Sequence, residues 1–227
     1  MGPLERYRTP DDLPARLPVF PLPEALLLPR IRLPLNIFEP RYLAMVRDAM
    51  SGERIIGMIQ PALAAPGRDP VTGDRAPLRA VGCAGRITSY TETFDDRFLI
   101  VLTGIARFRV AAEIESSQPY RRVEADFAPF ARDLSPGLGE AEVNRQVLLV
   151  TLHSYLDARQ LVADWSEIEA ASTESLVNSL SVLSPYPADD KQALLEAPDL
   201  KARAEMLVAL TEVALARGDD ASKSRLQ

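Results

Sequence analysis

Few side chains in this sequence have the types that carry chemistry, and their spacing does not assemble them into a catalytic set. His153 is the only histidine and Cys83 the only cysteine. A serine hydrolase needs a nucleophile on a GxSxG elbow and a histidine base; no such elbow occurs, and His153 falls in the middle of a helical pattern. It reads as a helix-surface or partly buried residue. One His and one Cys cannot supply the Cys/His ligand set of a zinc site. Cys83 alternates with Val81 in a strand-like run, as a small buried hydrophobe does, rather than as a reactive thiol. Asp95–Asp96 and Asp189–Asp190 have the type for acid–base work or metal binding, but adjacent carboxylates on a turn or at a helix start ordinarily cap and solvate it. Neither GxGxxG nor GxxxxGK followed by Ser or Thr is present, so nucleotide chemistry is not supported. The expectation is a chain that is not an enzyme, with no cofactor and no metal.

Composition narrows the classes further. A length of 227 residues with 47% hydrophobic content is ample for a buried core. A lone cysteine excludes an internal disulfide framework and favours a reducing, cytoplasmic setting. Met1 to Asp12 is polar, and the longest apolar run, Val147 to Val150 resuming at Leu152, is far too short to span a bilayer. No membrane partner is expected. The net charge of −6 opposes broad binding to a phosphate backbone, so nucleic acid is not an expected partner either.

Two halves must position whatever these residues do. A flexible N-terminal segment is expected over 1–16, a β domain over 17–132, a helical subdomain over 139–217 and a disordered tail over 218–227. In the β domain, Leu17–Leu22 and Leu26–Leu35 are apolar but interrupted by Pro18, Pro21, Pro23, Pro29 and Pro34, which confines them to edge strands, bulges and extended turns. Pro40 begins a short helix over 40–51, with Tyr42, Met45, Val46 and Ala49 at helical spacing and Gly52 as its stop. Glu53–Gln60 reads as a strand, and Pro61 to Arg79 as a long exposed loop. Ala80–Thr91 forms another strand, and Asp95–Asp96 supplies turn chemistry after it. Phe98 to Leu102 is apolar at both parities, as in a strand covered on two sides. Phe108, Val110, Ala112 and Ile114 alternate with Arg107, Arg109, Ala111 and Glu113, and Val123, Ala125 and Phe127 alternate with Arg122, Glu124 and Asp126. Successive antiparallel strands with short turns predict a small barrel or closed sheet.

The run Leu134 to Gly139 punctuates the chain, and helices follow. Val143, Val147 and Val150 with Leu149, Leu152 and Leu156 trace one apolar stripe. Leu176, Leu180 and Leu183 trace a second, and Leu200, Leu207, Leu210 and Ala214 a third. Ser172 and Asp199 stand where N-caps belong, and Pro185–Pro187 separates two helices. In Phe38-Glu-Pro-Arg-Tyr42, a charged pair flanks the helix-initiating proline between two aromatics; fold-building outweighs ligand contact there, with Phe38 and Tyr42 packing the helix onto the sheet.

The order of several segments resembles a known family. Leu17-Pro-Val-Phe-Pro-Leu22, Leu33-Pro-Leu-Asn-Ile-Phe-Glu-Pro-Arg-Tyr42, Gly57-Met58, Val81-Gly-Cys-Ala-Gly-Arg-Ile87 and Leu102-Thr-Gly-Ile-Ala-Arg-Phe-Arg109 are similar to the amino-terminal substrate-binding domain of Lon proteases. Lys191-Gln-Ala-Leu-Leu-Glu196, followed by Arg203 and Leu207, extends the likeness into the helical half. The resemblance implies an α+β fold, a PUA-like antiparallel β-barrel with one short helix followed by a C-terminal α-helical bundle. It implies recognition of unfolded or tagged polypeptides. In Lon this region precedes an ATPase and a Ser–Lys peptidase; here the sequence ends at Gln227, so proteolysis is not expected of it. Arg30 and Asp96 stand where the family commonly has glycine, which puts the local turn geometry in question.

The leading expectation is a protein- or peptide-binding module, an adaptor or chaperone-like factor in protein quality control. Its partners would be unfolded or specific client polypeptides and a separate protease. It calls for an exposed apolar groove or patch, on the order of several hundred Å². The alternative is an RNA-binding accessory protein using the barrel, carried by Arg86, Arg107, Arg109, Arg121 and Arg122 and weakened by Glu113, Glu124 and Asp126 among them. Recognition belongs on loops held by a rigid scaffold. The binding set is therefore Arg68, Asp69 and Arg75 in the Pro61–Leu78 loop, Phe94 and Arg97 at the hairpin tip, and Tyr42 at the helix start.

Overall fold

The computed structural model describes residues 4–62 and 76–224. Six strands run β1 (Arg16–Pro21), β2 (Arg32–Ile37), β3 (Ile55–Ile59), β4 (Val81–Glu92), β5 (Phe98–Ile114) and β6 (Arg122–Asp126), with α1 (Pro40–Ser51) between β2 and β3. The sheet order is β2-β5-β4-β3-β1-β6, and β6 also pairs with β5. From β5 through β4, β3, β1 and β6 the ladder therefore returns to β5, and β2 is added outside that circuit. Pro34 fits this arrangement, because among the described residues β2 pairs only with β5, as an edge strand that tolerates proline. In β1 the two ladders divide the strand. Arg16–Pro18 pairs with β6 and Val19–Pro21 with β3, so each half is bonded chiefly on one side and Pro18 and Pro21 fall at ladder ends.

Not all neighbours are antiparallel, as the simple alternation of strands and turns predicts. β1 and β3 are parallel, because the segment joining them carries α1 and is long enough for a crossover. The alternating runs around Phe98–Leu102 and Arg107–Ile114 belong to one 17-residue strand. Gly104 lies within it, and its missing Cβ is required: a Cβ there would stand 2.0 Å from the Leu28 carbonyl oxygen. That close approach lets Arg30 N donate to Gly104 O and Gly104 N donate to Ile31 O, stitching the proline-rich segment to the strand.

Two apolar clusters fill the β half. One holds Leu26, Leu27 and Leu28 with Tyr42, Met45 and Val46 of α1 and Phe98, Ile100 and Leu102 of β5. The other holds Leu17, Val19, Ile105, Phe108, Val123 and Phe127, and recruits Tyr7 and Leu13. Within 4–16 the chain is thus packed through Tyr7 and Leu13 rather than free. A one-turn 3-10 helix, Pro10–Asp12, is fixed by a capping box in which Asp12 Oδ2 accepts from Arg8 N and Thr9 N, both at 2.8 Å. Tyr7 and Leu13 flank it and seal the second cluster.

The helical half comprises α2 (Arg145–Ala158), α3 (Trp165–Ala170), α4 (Thr173–Leu183), α5 (Ala188–Glu196) and α6 (Leu200–Ser224). Ser172 Oγ accepts from Ser175 N, and Asp199 Oδ1 from Ala202 N, as expected of N-caps. The stripe on α2 differs in phase: Leu148 and Leu152 are buried, while Val147 and Val150 face solvent. Leu183 likewise ends α4 on the exposed side. Helical backbone continues to Ser224, past Gly218, where polar composition predicts a disordered tail.

Candidate functional site

The β4–β5 turn and the end of β2 build one end of the sheet. Asn36 pairs with Leu99 and Ile37 with Phe98, so Phe38 emerges beside the hairpin tip, and Thr91 faces Leu99 from β4. The turn is tightly bonded. Thr93 N donates to Arg97 O at 2.9 Å, Thr93 Oγ1 donates to Asp95, and Arg97 Nε lies 2.9 Å from Asp95 Oδ2. The Thr93 hydroxyl holds the Asp95 carboxyl below its ordinary value. Asp96 takes φ 58°, so the turn keeps the left-handed geometry for which glycine is the usual residue. Arg30 does the same at φ 67°.

This framework leaves three large apolar side chains in water. Phe94 is fully exposed, Phe38 is 61% exposed and Leu99 48% exposed, with the Arg97 guanidinium 5.8 Å above the Phe38 ring. Phe94 and Arg97 thus share this turn. Tyr42 is not with them. It is 6% exposed, its ring is 4.2 Å from that of Phe20, and burial pushes its hydroxyl pKa up. Arg68, Asp69 and Arg75 lie outside the described residues. Phe38 and Leu99 are missing from the sequence-derived set, although the signal was present. Ile37 and Phe98 face the core, so period-2 alternation turns their neighbours outward. Phe98–Leu102 is covered on one face, not two, which is what frees Leu99.

A concavity between α2 and α6 is lined by Val143, Val147, Ala204 and Val208 together with Glu142, Lys201, Glu205 and Glu212.

The other chemical candidates resolve into structure. His153 Nδ1 is 2.8 Å from Asp157 Oδ2 on the surface of α2, and its ring stacks on Trp165. Cys83 is fully buried, and desolvation raises its thiol pKa far above the ordinary value. Among the described residues no group of three or more His, Cys, Asp or Glu is placed to hold a metal ion, and no helix is long and apolar enough to cross a membrane. Three of the five arginines of the RNA reading are taken up within the protein. Arg107 is buried against Asp133, Arg121 is doubly bonded to Glu113, and Arg86 donates to Tyr7 Oη and Glu53 O. That reading has no support in the arrangement of these charges.

Comparison with known proteins agrees with the order of motifs. Residues 16–212 match the family model described as the ATP-dependent protease La (LON) substrate-binding domain. The chain is 28% identical over 209 residues to Lon protease 2 of Myxococcus xanthus and 30% identical over 210 residues to Lon protease 2 of Sorangium cellulosum. These alignments take in 88% and 89% of this chain but 24% and 25% of those proteins, so the chain spans about a quarter of the length of these relatives. Among solved structures, a Lon N-terminal domain protein from Xanthomonas campestris is similar at a TM-score of 0.58 and 23% identity, over 86% of this chain and 97% of that one. The N-terminal domain of Mycobacterium avium complex Lon protease is similar at a TM-score of 0.56 and 18% identity, over 87% and 98% respectively. With the family model covering most of its length, the chain belongs to the LON substrate-binding domain family.

Proposed function

We propose that this chain is a non-catalytic recognition module that binds apolar segments of unfolded polypeptides through the exposed end of its sheet, as an adaptor or chaperone-like factor in protein quality control. The observation that carries the reading is the exposure of Phe38, Phe94 and Leu99 at one end of the sheet, with Phe94 on a hydrogen-bonded turn and the other two beside it on β2's end and β5. Solvent-exposed aromatics on an ordered scaffold lose little entropy on binding and supply large apolar contact area. The ladder that returns to β5 supports a PUA-like barrel as that scaffold. The family's description supports polypeptide substrates as the bound class. A separate protease in the cytoplasm is the consumer we infer for captured clients.

The test is direct. Fluorescence anisotropy with a labelled, permanently unfolded polypeptide should give saturable binding, and the double variant Phe38→Ser/Phe94→Ser should weaken it about tenfold or more while leaving the unfolding midpoint nearly unchanged, since exposed apolar residues contribute little to stability. Equal affinity for wild type and double variant would remove the site from consideration.

A further inference from the structure

The stripe Val143, Val147 and Val150 is taken up neither by the core nor by the exposed end of the sheet. α2 carries two apolar faces. Leu148 and Leu152 turn inward and share a core cluster with Leu176, Ala204 and Leu207, whereas Val147 is 43% exposed and Val150 58% exposed. Valine is stiff at χ1 and forms helix less readily than Lys or Glu, so local structure gives no reason for valines on a wet helical face. The fold supplies one. Val143 and Val147 line a concavity of about 390 Å³ together with Ala204, Val208 and Ala209 of α6, within the size range of binding clefts.

Charge at this concavity is unequal. Glu142, Glu205 and Glu212 line it with a single cation, Lys201. Lys201 Nζ lies 3.9 Å from Glu205 Oε1, one turn along α6, so those two offset each other. Among the described residues, Glu142 and Glu212 make no ion pair and no side-chain hydrogen bond. One stands ahead of α2 and the other on α6, so both walls contribute unpaired negative charge. From Lys201 to Glu212, α6 rises about 17 Å, or three helical turns.

We propose that the α2–α6 concavity docks a three-turn amphipathic helix of a partner protein, its apolar face seated on Val143, Val147 and Val208 and its flanking Lys or Arg residues opposite Glu142 and Glu212. Two helix surfaces offer no free backbone ladder, so an extended peptide would leave its own N–H and C=O groups unpaired here; a helix satisfies them internally. Apolar contact supplies the affinity, and the acidic walls select a basic partner over an acidic one. This surface shares no residue with the Phe38, Phe94 and Leu99 site, and the inference does not rest on that reading.

The experiment uses the full chain and three labelled peptides of about 14 residues, long enough to form helix on binding. One is an amphipathic leucine–lysine helix, the second has glutamate in place of each lysine, and the third is a scrambled leucine–lysine peptide with no apolar face. Fluorescence anisotropy should give saturable binding of the first, binding of the other two that is roughly tenfold weaker, and a preference that shrinks as salt rises. Glu142→Lys/Glu212→Lys changes two exposed positions, where substitution leaves folding intact, and should reverse the order in favour of the glutamate helix. Val147→Asn should weaken the lysine helix by a similar factor. Equal affinity for the amphipathic and scrambled lysine peptides would reduce the effect to charge attraction and overturn the proposal, as would an unchanged order in the charge-reversed variant or no binding of either helix. A dimer in sedimentation that Val147→Asn dissociates would also overturn it, giving the concavity to a second copy of this chain.

Discussion

At the scale of single residues, side chains a few positions apart take opposite roles because backbone geometry sends them in opposite directions. Phe38 and Tyr42 flank the same proline, yet Tyr42 packs on Phe20 and Phe38 stands in solvent. The sequence supports both residues as aromatic anchors of α1, but Phe38 continues the alternation of β2 after inward-facing Ile37 and so turns outward, while Tyr42 follows the helical spacing of Met45 and Val46 inward. Cys83 was legible, because strand alternation beside Val81 puts it inward. Burial raises its thiol pKa well above any working pH, so a disulfide-exchange reagent at pH 8 should find no reactive thiol in the folded chain and one on unfolding in denaturant. At the hairpin tip, Asp96 holds φ 58° against the preference of an L-residue. Asp96→Gly should therefore be neutral or stabilising, by up to about 1 kcal/mol in urea unfolding, with the greater freedom of glycine in the unfolded chain opposing the gain.

Elements with strong local punctuation were readable and weakly punctuated ones were not. The helix over 40–51 is bracketed by Pro40 and Gly52, and it forms over Pro40–Ser51. By contrast, α3 (Trp165–Ala170) and the 3-10 stretch Ala128–Leu134 are too short for periodicity to reveal. The N-terminal segment reads as free because it is polar; what orders it is the Asp12 capping box together with the burial of Tyr7 and Leu13, two apolar residues too few to make a pattern. Backbone N–H donors at Arg8 and Thr9 hold the Asp12 carboxyl below the ordinary aspartate range. A depressed folded-state value means that the carboxylate stabilises the segment above the unfolded pKa and loses that effect as pH falls through the folded one. Amide exchange at Tyr7 and Leu13, followed by NMR at matched intrinsic rate, should accordingly become faster below about pH 4 and stay level above it. Gly104 gives the sharpest element-level test. Gly104→Ala would place a methyl against the Leu28 carbonyl, and it should destabilise the protein by about 3 kcal/mol or more, read from denaturant midpoints.

For the molecule as a whole, the division into a β half and a helical half follows from composition, but the way they join does not. That joint depends on pairs 26 to 149 residues apart, including Arg107 with Asp133, Arg30 with Glu174 and Asn178 Nδ2 donating to Pro29 O. Sequence-distant charges of this kind look like ordinary surface residues until the fold is known, which is why Arg107 passed for part of a basic strand face. Removing one partner strands the other in a dry site, so Asp133→Ala should lower stability by about 3–5 kcal/mol in urea unfolding, far more than loss of an exposed pair such as Arg6 with Glu53. The central claim is that the exposed end of the sheet, and not the α2–α6 groove, receives unfolded polypeptide. A photoreactive phenylalanine analogue at position 94, with the same analogue at position 147 in a second preparation, tests this most directly against one labelled unfolded polypeptide. Crosslinks from position 94, with few or none from position 147, are the result this account predicts; crosslinks confined to position 147 would contradict it and move recognition to the helices.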